Sequence, residues 1–381
     1  MSRPGPTALE RPAATAQPPA PAAPPRSALA VALLPWVVSR ALAGVALAVV
    51  ALTHDHLPAA GNAPHPTGLF AWDGAWYRHL AVDGYRATED WRFFPLVPML
   101  GRLLAPALGG SVDAALLVVC NVAALGYLAL LVRLVRTELG EGPWVARSAW
   151  LACLAPGASA LALPYTEAVA GLLAVGFFLA LRARRPGLAA AAGFLCGLAR
   201  PTGLLLAVPA LVVAARARRR SPRLALAALG AAAAPVLGTA LFCAGAWYRT
   251  GRPLLPYTAQ THHGLRGGVV RNPFLAPFSS HPFGLPWPAT VAFLVAAVAL
   301  VAVALHRLPL PYGLWSAAVV FLAVSSSDDH SLPRYLSAAF PLLMAAALWA
   351  RDRRRWAAVA ASSAAGFVAL AVLGLTAGYI P

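Results

Sequence analysis

The stretch Trp72-Asp73-Gly74-Ala75-Trp76-Tyr77, continued by Leu80, Asp83, Gly84 and Tyr85, sets one carboxylate beside large aromatics. If it forms a helix, Asp73, Trp76, Tyr77 and Leu80 share a face, at i, i+3, i+4 and i+7. A carboxylate so placed at a membrane surface is partly desolvated and becomes more basic, which suits a general base acting on a hydroxyl. Trp72, Trp76 and Tyr77 can wall a sugar or sit in the interfacial aromatic belt. The competing reading is that Asp73 only caps the helix, since Asp is a favoured N-cap.

Three further sites carry charge where charge is expensive. Pro164-Tyr165-Thr166-Glu167 puts an acid at the mouth of two apolar segments, as a functional group or as a helix-dipole partner. Arg200, in Arg200-Pro201-Thr202-Gly203, lies in the middle of an apolar segment. Its planar fork suits a phosphate, and a structural pair with Glu167 is the alternative. A later polar segment holds Asp328, Asp329, His330, Pro333, Arg334 and Tyr335, where Arg334 can hold a lipid phosphate. The three groups before Pro333 read equally well as solvated loop charge. His54/His56 and His262/His263 belong to no metal motif, so no metal site is expected. The chain shows no phosphate-cradling glycine loop, serine elbow or dinucleotide fingerprint, and no cofactor is expected.

The elements that must position these residues belong to a membrane protein. Hydrophobic residues make up 60% of the 381 and charged ones only 11%, against roughly 25% charged in soluble domains. This excludes a disordered, fibrous or disulfide-stapled chain. All 30 cationic side chains are arginine, against 13 acids, for a net charge of +17. The arginines cluster between apolar runs without interleaved aromatics, which is the pattern of cytoplasmic membrane loops and not of nucleic-acid binding. The four cysteines lie far apart in apolar stretches and read as packing residues.

Residues 1–27 read as a disordered, Pro- and Ala-rich cytoplasmic tail, and 28–381 as one transmembrane domain. Spans are expected at about 27–52, 112–132, 150–163, 168–181, 224–247, 289–305, 312–324, 336–350 and 356–378. Residues 188–215 lie between two arginine clusters and break at Arg200-Pro201, which predicts two short helices meeting at a tip inside the membrane. The total is eleven membrane segments. The first outer loop (53–110) is expected to hold interfacial helices, with Phe93-Phe94-Pro95-Leu96-Val97-Pro98 as an amphipathic connector or a groove for a lipid chain. A second large outer loop covers 248–287. This topology leaves 19 of the 30 arginines on the cytoplasmic side, with the N-terminus. Asp73, Asp83 and Glu167 then lie outside or at the outer boundary, so polar chemistry is expected on the outer face.

The pieces resemble, together and in order, the phosphatidylinositol-glycan class V (PIG-V-type) mannosyltransferases of the GT-C superfamily. The matching stretches are FAWDGAWYRHLAVDGY (70–85), FFPLVPML (93–100), LAPGASALALPYTEAVAGLL (154–173), GLARPTGLL (197–205) and, more loosely, SLPRYLSAAFP (331–341). The RPTG stretch departs from the Arg-Ser-Asn-Gly type of that family, which leaves Thr202 without an assigned role. The resemblance implies an all-α, polytopic GT-C-like fold. It also implies inverting transfer of mannose from a polyprenyl-phosphate donor on the non-cytoplasmic face, with Asp73 as base. Arg200 and Arg334 would hold the donor phosphate, and Trp72, Trp76, Tyr77, Asp83, Tyr165 and Glu167 would shape the substrate site. The partners so implied are the lipid-linked donor, a lipid or glycan acceptor and membrane lipid, with no nucleic acid. The Ala/Arg-rich, lysine-free composition resembles a bacterial protein, so a bacterial plasma membrane is the expected location. A lipid-linked sugar transporter or flippase, and a non-catalytic partner of another transferase, are the competing classes.

Overall fold

A computed structural model describes residues 26–53, 68–260, 285, 287–325 and 331–376. Every regular element among them is helical. In chain order these are α1 (Ala28–Thr53), α2 (Asp73–Asp83), α3 (Leu96–Leu104), α4 (Val112–Leu139), α5 (Pro143–Leu154), α6 (Glu167–Arg182), α7 (Pro186–Ala199), α8 (Ala207–Ala217), α9 (Pro222–Thr250), α10 (Leu255–Thr258), α11 (Trp287–Arg307), α12 (Leu310–Ser325), α13 (Leu332–Ala338), α14 (Phe340–Trp349) and α15 (Arg353–Leu375). Short 3-10 turns link several of them, at Pro156–Leu161 and Pro201–Leu206 among others.

Local sequence accounts for many of these ends. Ser111, Ser221 and Asp352 cap α4, α9 and α15 by accepting the N–H of Ala114, Leu224 and Arg355. Gly140 and Gly251 close α4 and α9 at positive φ, where other residues are strained. Pro222, Pro333 and Pro341 lie in the first turns of their helices, where a missing N–H loses nothing.

Five helices, α1, α4, α9, α11 and α15, are long and apolar enough to cross a bilayer, and α13 with α14 makes a sixth if that pair, bent by 81°, is one span. The other expected segments fall on helices of only 11 to 16 residues, and the one expected at 150–163 is divided between the end of α5 and the turn Pro156–Leu161. At ~1.5 Å per residue these fall short of a ~30 Å hydrocarbon layer. Among the described residues, length and composition therefore support five or six crossings, fewer than the eleven membrane segments expected. The predicted broken hairpin is present: α7 ends at Ala199, Arg200 is extended, and the chain returns through Pro201–Leu206 into α8. The interfacial connector is α3 plus the turn Ala105–Leu108, which buries Val97 and leaves Met99 and Leu103 exposed. Residues 1–25 of the expected tail, the histidine pairs His54/His56 and His262/His263, and Asp328, Asp329 and His330 lie outside the described residues.

The arginine-bearing ends of the bundle converge. Glu138 of α4 takes Arg182 of α6 at 3.1 Å and the Tyr312 hydroxyl of α12 at 3.1 Å. Arg147 of α5 donates to the Ala350 carbonyl after α14, and its guanidinium lies 5.4 Å from the Trp356 ring. The hairpin packs by backbone contact: a Cβ on Gly197 of α7 would overlap the Pro235 carbonyl of α9, and one on Gly238 would overlap the Phe194 carbonyl. Small residues at this crossing let the helices touch without a hydrophobic drive, as membrane packing requires.

Candidate active site

At the opposite end of α6 from Arg182, four charged side chains from four separate stretches meet. Asp73 opens α2 and Glu167 opens α6, so both carboxylates sit at the positive end of a helix. Arg200 occupies the hairpin tip and Arg334 lies on α13. Arg334 Nη1 donates to Asp73 Oδ2 at 2.7 Å, and its Nε lies 3.4 Å from Glu167 Oε1. Arg200 Nη1 donates to the same Glu167 oxygen at 3.0 Å. The result is a continuous chain, Asp73–Arg334–Glu167–Arg200, whose formal charges sum to zero. Glu167, Arg200 and Arg334 are each less than 9% exposed. The Asp73 side chain keeps 18% exposure, so it is the member open to an approaching group.

Asp73 is the first residue of α2 and not its cap, a position held by Trp72. The expected desolvation is present but answered by the Arg334 guanidinium. The base reading therefore rests on geometry and ion pairing, not on an isolated, desolvated acid.

The backbone explains how these groups are aimed. Trp72 precedes Asp73 with φ of 53°, unusual for a bulky residue and locally strained. The Tyr165 hydroxyl donates to the Ala71 carbonyl at 3.0 Å, pinning that turn to the start of α6. Gly74 lets α2 sit against Pro164 and Tyr165: a Cβ there would lie 3.1 Å from the Pro164 ring. Gly157 does the same for α13, since a Cβ would overlap the Pro333 carbonyl and the Arg334 amide. Arg334 stacks over Tyr165 (5.4 Å) and Tyr335 (5.5 Å), and Arg200 lies 5.6 Å from the Tyr335 ring centre. Burial, then the charges of Asp73 and its neighbours, push the Tyr77 and Tyr165 phenols well above their ordinary range. Both stay neutral, as donors and walls.

The pairs leave capacity unused. Glu167 Oε2, Arg200 Nε and Arg334 Nε are buried and make no hydrogen bond among the described residues. A narrow cleft of about 30 Å³, room for roughly one water, opens beside Glu167 and Arg200 and runs along Ala170, Gly171 and Ala174 toward Trp315 and Val319.

The structure thus brings together Asp73, Glu167, Arg200 and Arg334, with Tyr77 and Tyr165 against them. Trp76 stands at the edge, stacked on Phe93 at 5.2 Å. Asp83 is not brought in. It ends α2, about 15 Å along the axis from Asp73, and pairs with His79 at 3.1 Å and Arg86 at 3.5 Å. Sequence reasoning missed Gly157 and Gly74, because a glycine's neighbour across the fold leaves no local signal. It also passed over Arg40, in mid-α1, which binds Asn121 Oδ1 at 2.9 Å and the Leu161 carbonyl at 2.6 Å and so anchors the turn leading to Tyr165. An arginine inside an apolar span was the signal available there.

A polytopic helical bundle with an ionic cluster at one end of its helices is the class this architecture defines. Residues 95–326, more than half of the chain, match the model of glycosyltransferase family 87. The chain belongs to that family. Glu167 and Arg200 lie inside the matched stretch, Asp73 and Arg334 outside it. Among solved structures, the fold is similar to the Archaeoglobus fulgidus oligosaccharyltransferase in complex with Zn and sulfate, at 14% identity and a TM-score of 0.50, over 91% of this chain and 53% of that one. The apo form of the same enzyme is similar at 14% identity and a TM-score of 0.45, over 92% and 56%. The chain thus spans about half the length of that enzyme. No curated protein matches it.

Proposed function

We propose that the protein transfers mannose from polyprenyl-phosphate-mannose to a hydroxyl of a lipid or glycan acceptor. The transfer inverts the anomeric centre and takes place on the outer face of a bacterial plasma membrane. Membership of family 87 supports glycosyl transfer; mannose and the polyprenyl carrier rest on the stretches that resemble class V mannosyltransferases. The observation that carries the site assignment is the Asp73–Arg334–Glu167–Arg200 chain, two carboxylates and two guanidiniums in one place.

In this reading Asp73 takes the proton of the acceptor hydroxyl as its oxygen attacks the anomeric carbon. The bond from that carbon to the phosphate oxygen breaks on the opposite side, and the polyprenyl phosphate leaves with the electron pair. A phosphate is a fair leaving group if positive charge meets it, and Arg200 and Arg334 supply that charge in a water-poor setting. Trp72, Trp76, Tyr77 and Tyr165 wall the sugar, and Glu167 holds both arginines in register. The site faces away from the arginine-rich ends of α4, α6 and α14, which supports the outer face.

The test is purified protein in nanodiscs with labelled polyprenyl-phosphate-mannose and a membrane-lipid extract as acceptor. Label appearing in a new glycolipid, and a large loss of it with Asp73→Asn, supports the reading. Label that crosses liposomes without entering product would instead make the protein a carrier of the lipid-linked sugar.

A further inference from the structure

We infer that Arg334 is a shared partner for which Asp73 and the donor phosphate compete, so that arrival of the donor frees the base. The inference rests on the reading above, in which a lipid phosphodiester enters this site. Its structural ground is charge balance. The two carboxylates and two guanidiniums sum to zero, and the 2.7 Å Asp73–Arg334 contact is the shortest of the pairs among them. A phosphodiester brings one further negative charge into a mostly buried cluster, where an uncompensated charge is costly. One existing pair must yield. Glu167 is 5% exposed and bound by both arginines, so releasing it would strand a buried carboxylate. Asp73 pairs with Arg334 and keeps partial exposure, so it can swing clear.

The same argument follows the reaction through. Before transfer the negative charges are the Asp73 carboxylate and the phosphodiester. After it Asp73 holds the acceptor proton and is neutral, while the departing phosphate monoester carries two charges. The total is unchanged, and one unit of negative charge has moved from Asp73 to the phosphate. A guanidinium standing between the two can exchange partners as that happens, with little motion of its own. It is held to that position by Tyr165, Tyr335 and the backbone contact at Gly157. In the resting protein Arg334 shields the base, and the donor removes the shield. Arg334 is thus both a phosphate ligand and the positioning residue for Asp73.

Competition makes a prediction opposite to that for an ordinary binding residue. Asp73→Asn removes the rival anion, so it should bind the donor more tightly while losing turnover. Binding of polyprenyl-phosphate-mannose in detergent micelles, read by intrinsic tryptophan fluorescence, should tighten on the order of tenfold, as expected when a charged pairing partner is removed. In the Asp73→Asn/Arg334→Gln double variant the gain should vanish. Equal or weaker donor binding by folded Asp73→Asn, in a preparation whose wild type turns over, would overturn the inference and leave the proposed function standing. A wild type that neither binds nor consumes the donor would defeat the proposed function, and this inference with it. If Asp73→Asn does not fold, Asp73→Ser removes the same charge and must show the same gain.

Discussion

Arg334 and Asp73 are 261 residues apart in the chain and 2.7 Å apart in space. That contact joins α13 to α2 through a bidentate-capable cation and a helix-opening carboxylate. Neither α2 nor α13 belongs to the stretch matched by the family model.

Loss of the base should be felt in chemistry and not in folding. Asp73→Asn is expected to lower kcat by about 10²–10⁴-fold, the usual range for removing a positioned general base. Thermal unfolding followed by circular dichroism should remain cooperative. Wild-type kcat in the folded variant would remove Asp73 from the role.

Gly157 should behave as a site residue without touching substrate. Its replacement by Ala forces apart the turn Pro156–Leu161 and the Pro333–Arg334 backbone, which cannot yield as a side chain would. A destabilisation of about 1–3 kcal/mol and a drop in turnover are expected, read from the melting temperature and initial rates. Gly230→Ala is the control. It lies in α9 with open space at its Cβ, and it should stabilise slightly by helix propensity.

The hairpin tip should depend on its packing. Gly197→Leu would drive α7 off α9, since even a Cβ there would overlap the Pro235 carbonyl. Because Arg200 follows three residues later, the variant should weaken donor binding as well as stability. An unchanged Kd for polyprenyl-phosphate-mannose in a stably folded variant would show that the tip is positioned by other contacts.

Tyr165→Phe removes the hydroxyl that pins the Ala71 carbonyl. The expected cost is about 1–3 kcal/mol, since the buried acceptor is left unsatisfied. Because that carbonyl belongs to the turn just before Asp73, kcat should fall more than KM changes.

Alkaline pH should unfold the protein through its buried phenols. Tyr77 and Tyr165 are raised above the ordinary tyrosine value by burial and by nearby carboxylates. Their contribution is intact below about pH 10, where unfolded tyrosine begins to ionise. It is then lost as pH rises, at about 1.4 kcal/mol per pH unit for each such phenol. Tyrosinate absorbance should therefore appear together with loss of helical signal. Tyr77→Phe should make the alkaline loss of stability less steep.

The membrane character, the long spans and the break at Arg200 were legible because a bilayer demands apolar runs of set length and because proline excludes helix locally. Two members of the ionic cluster were legible for the same reason: Glu167 and Arg200 stand out as charges where charge is expensive. Their pairing was not. Arg200 was open between a phosphate and Glu167, and Arg334 was assigned to phosphate alone. In the structure both arginines are taken up by acids, because each charge on entering a buried cluster needs a partner at once. Asp83 was expected in the substrate site through the resemblance, yet ten helical residues carry it away from the cluster.

What the sequence alone determined is therefore periodicity, polarity and the location of improbable charges, which are properties of neighbouring residues. The tertiary structure decided which improbable charges meet, and it did so through backbone contacts at Gly74, Gly157 and Gly197 whose other halves lie tens to hundreds of residues away. A glycine records only that a side chain is absent; what comes to rest against it is settled by the packing of whole helices.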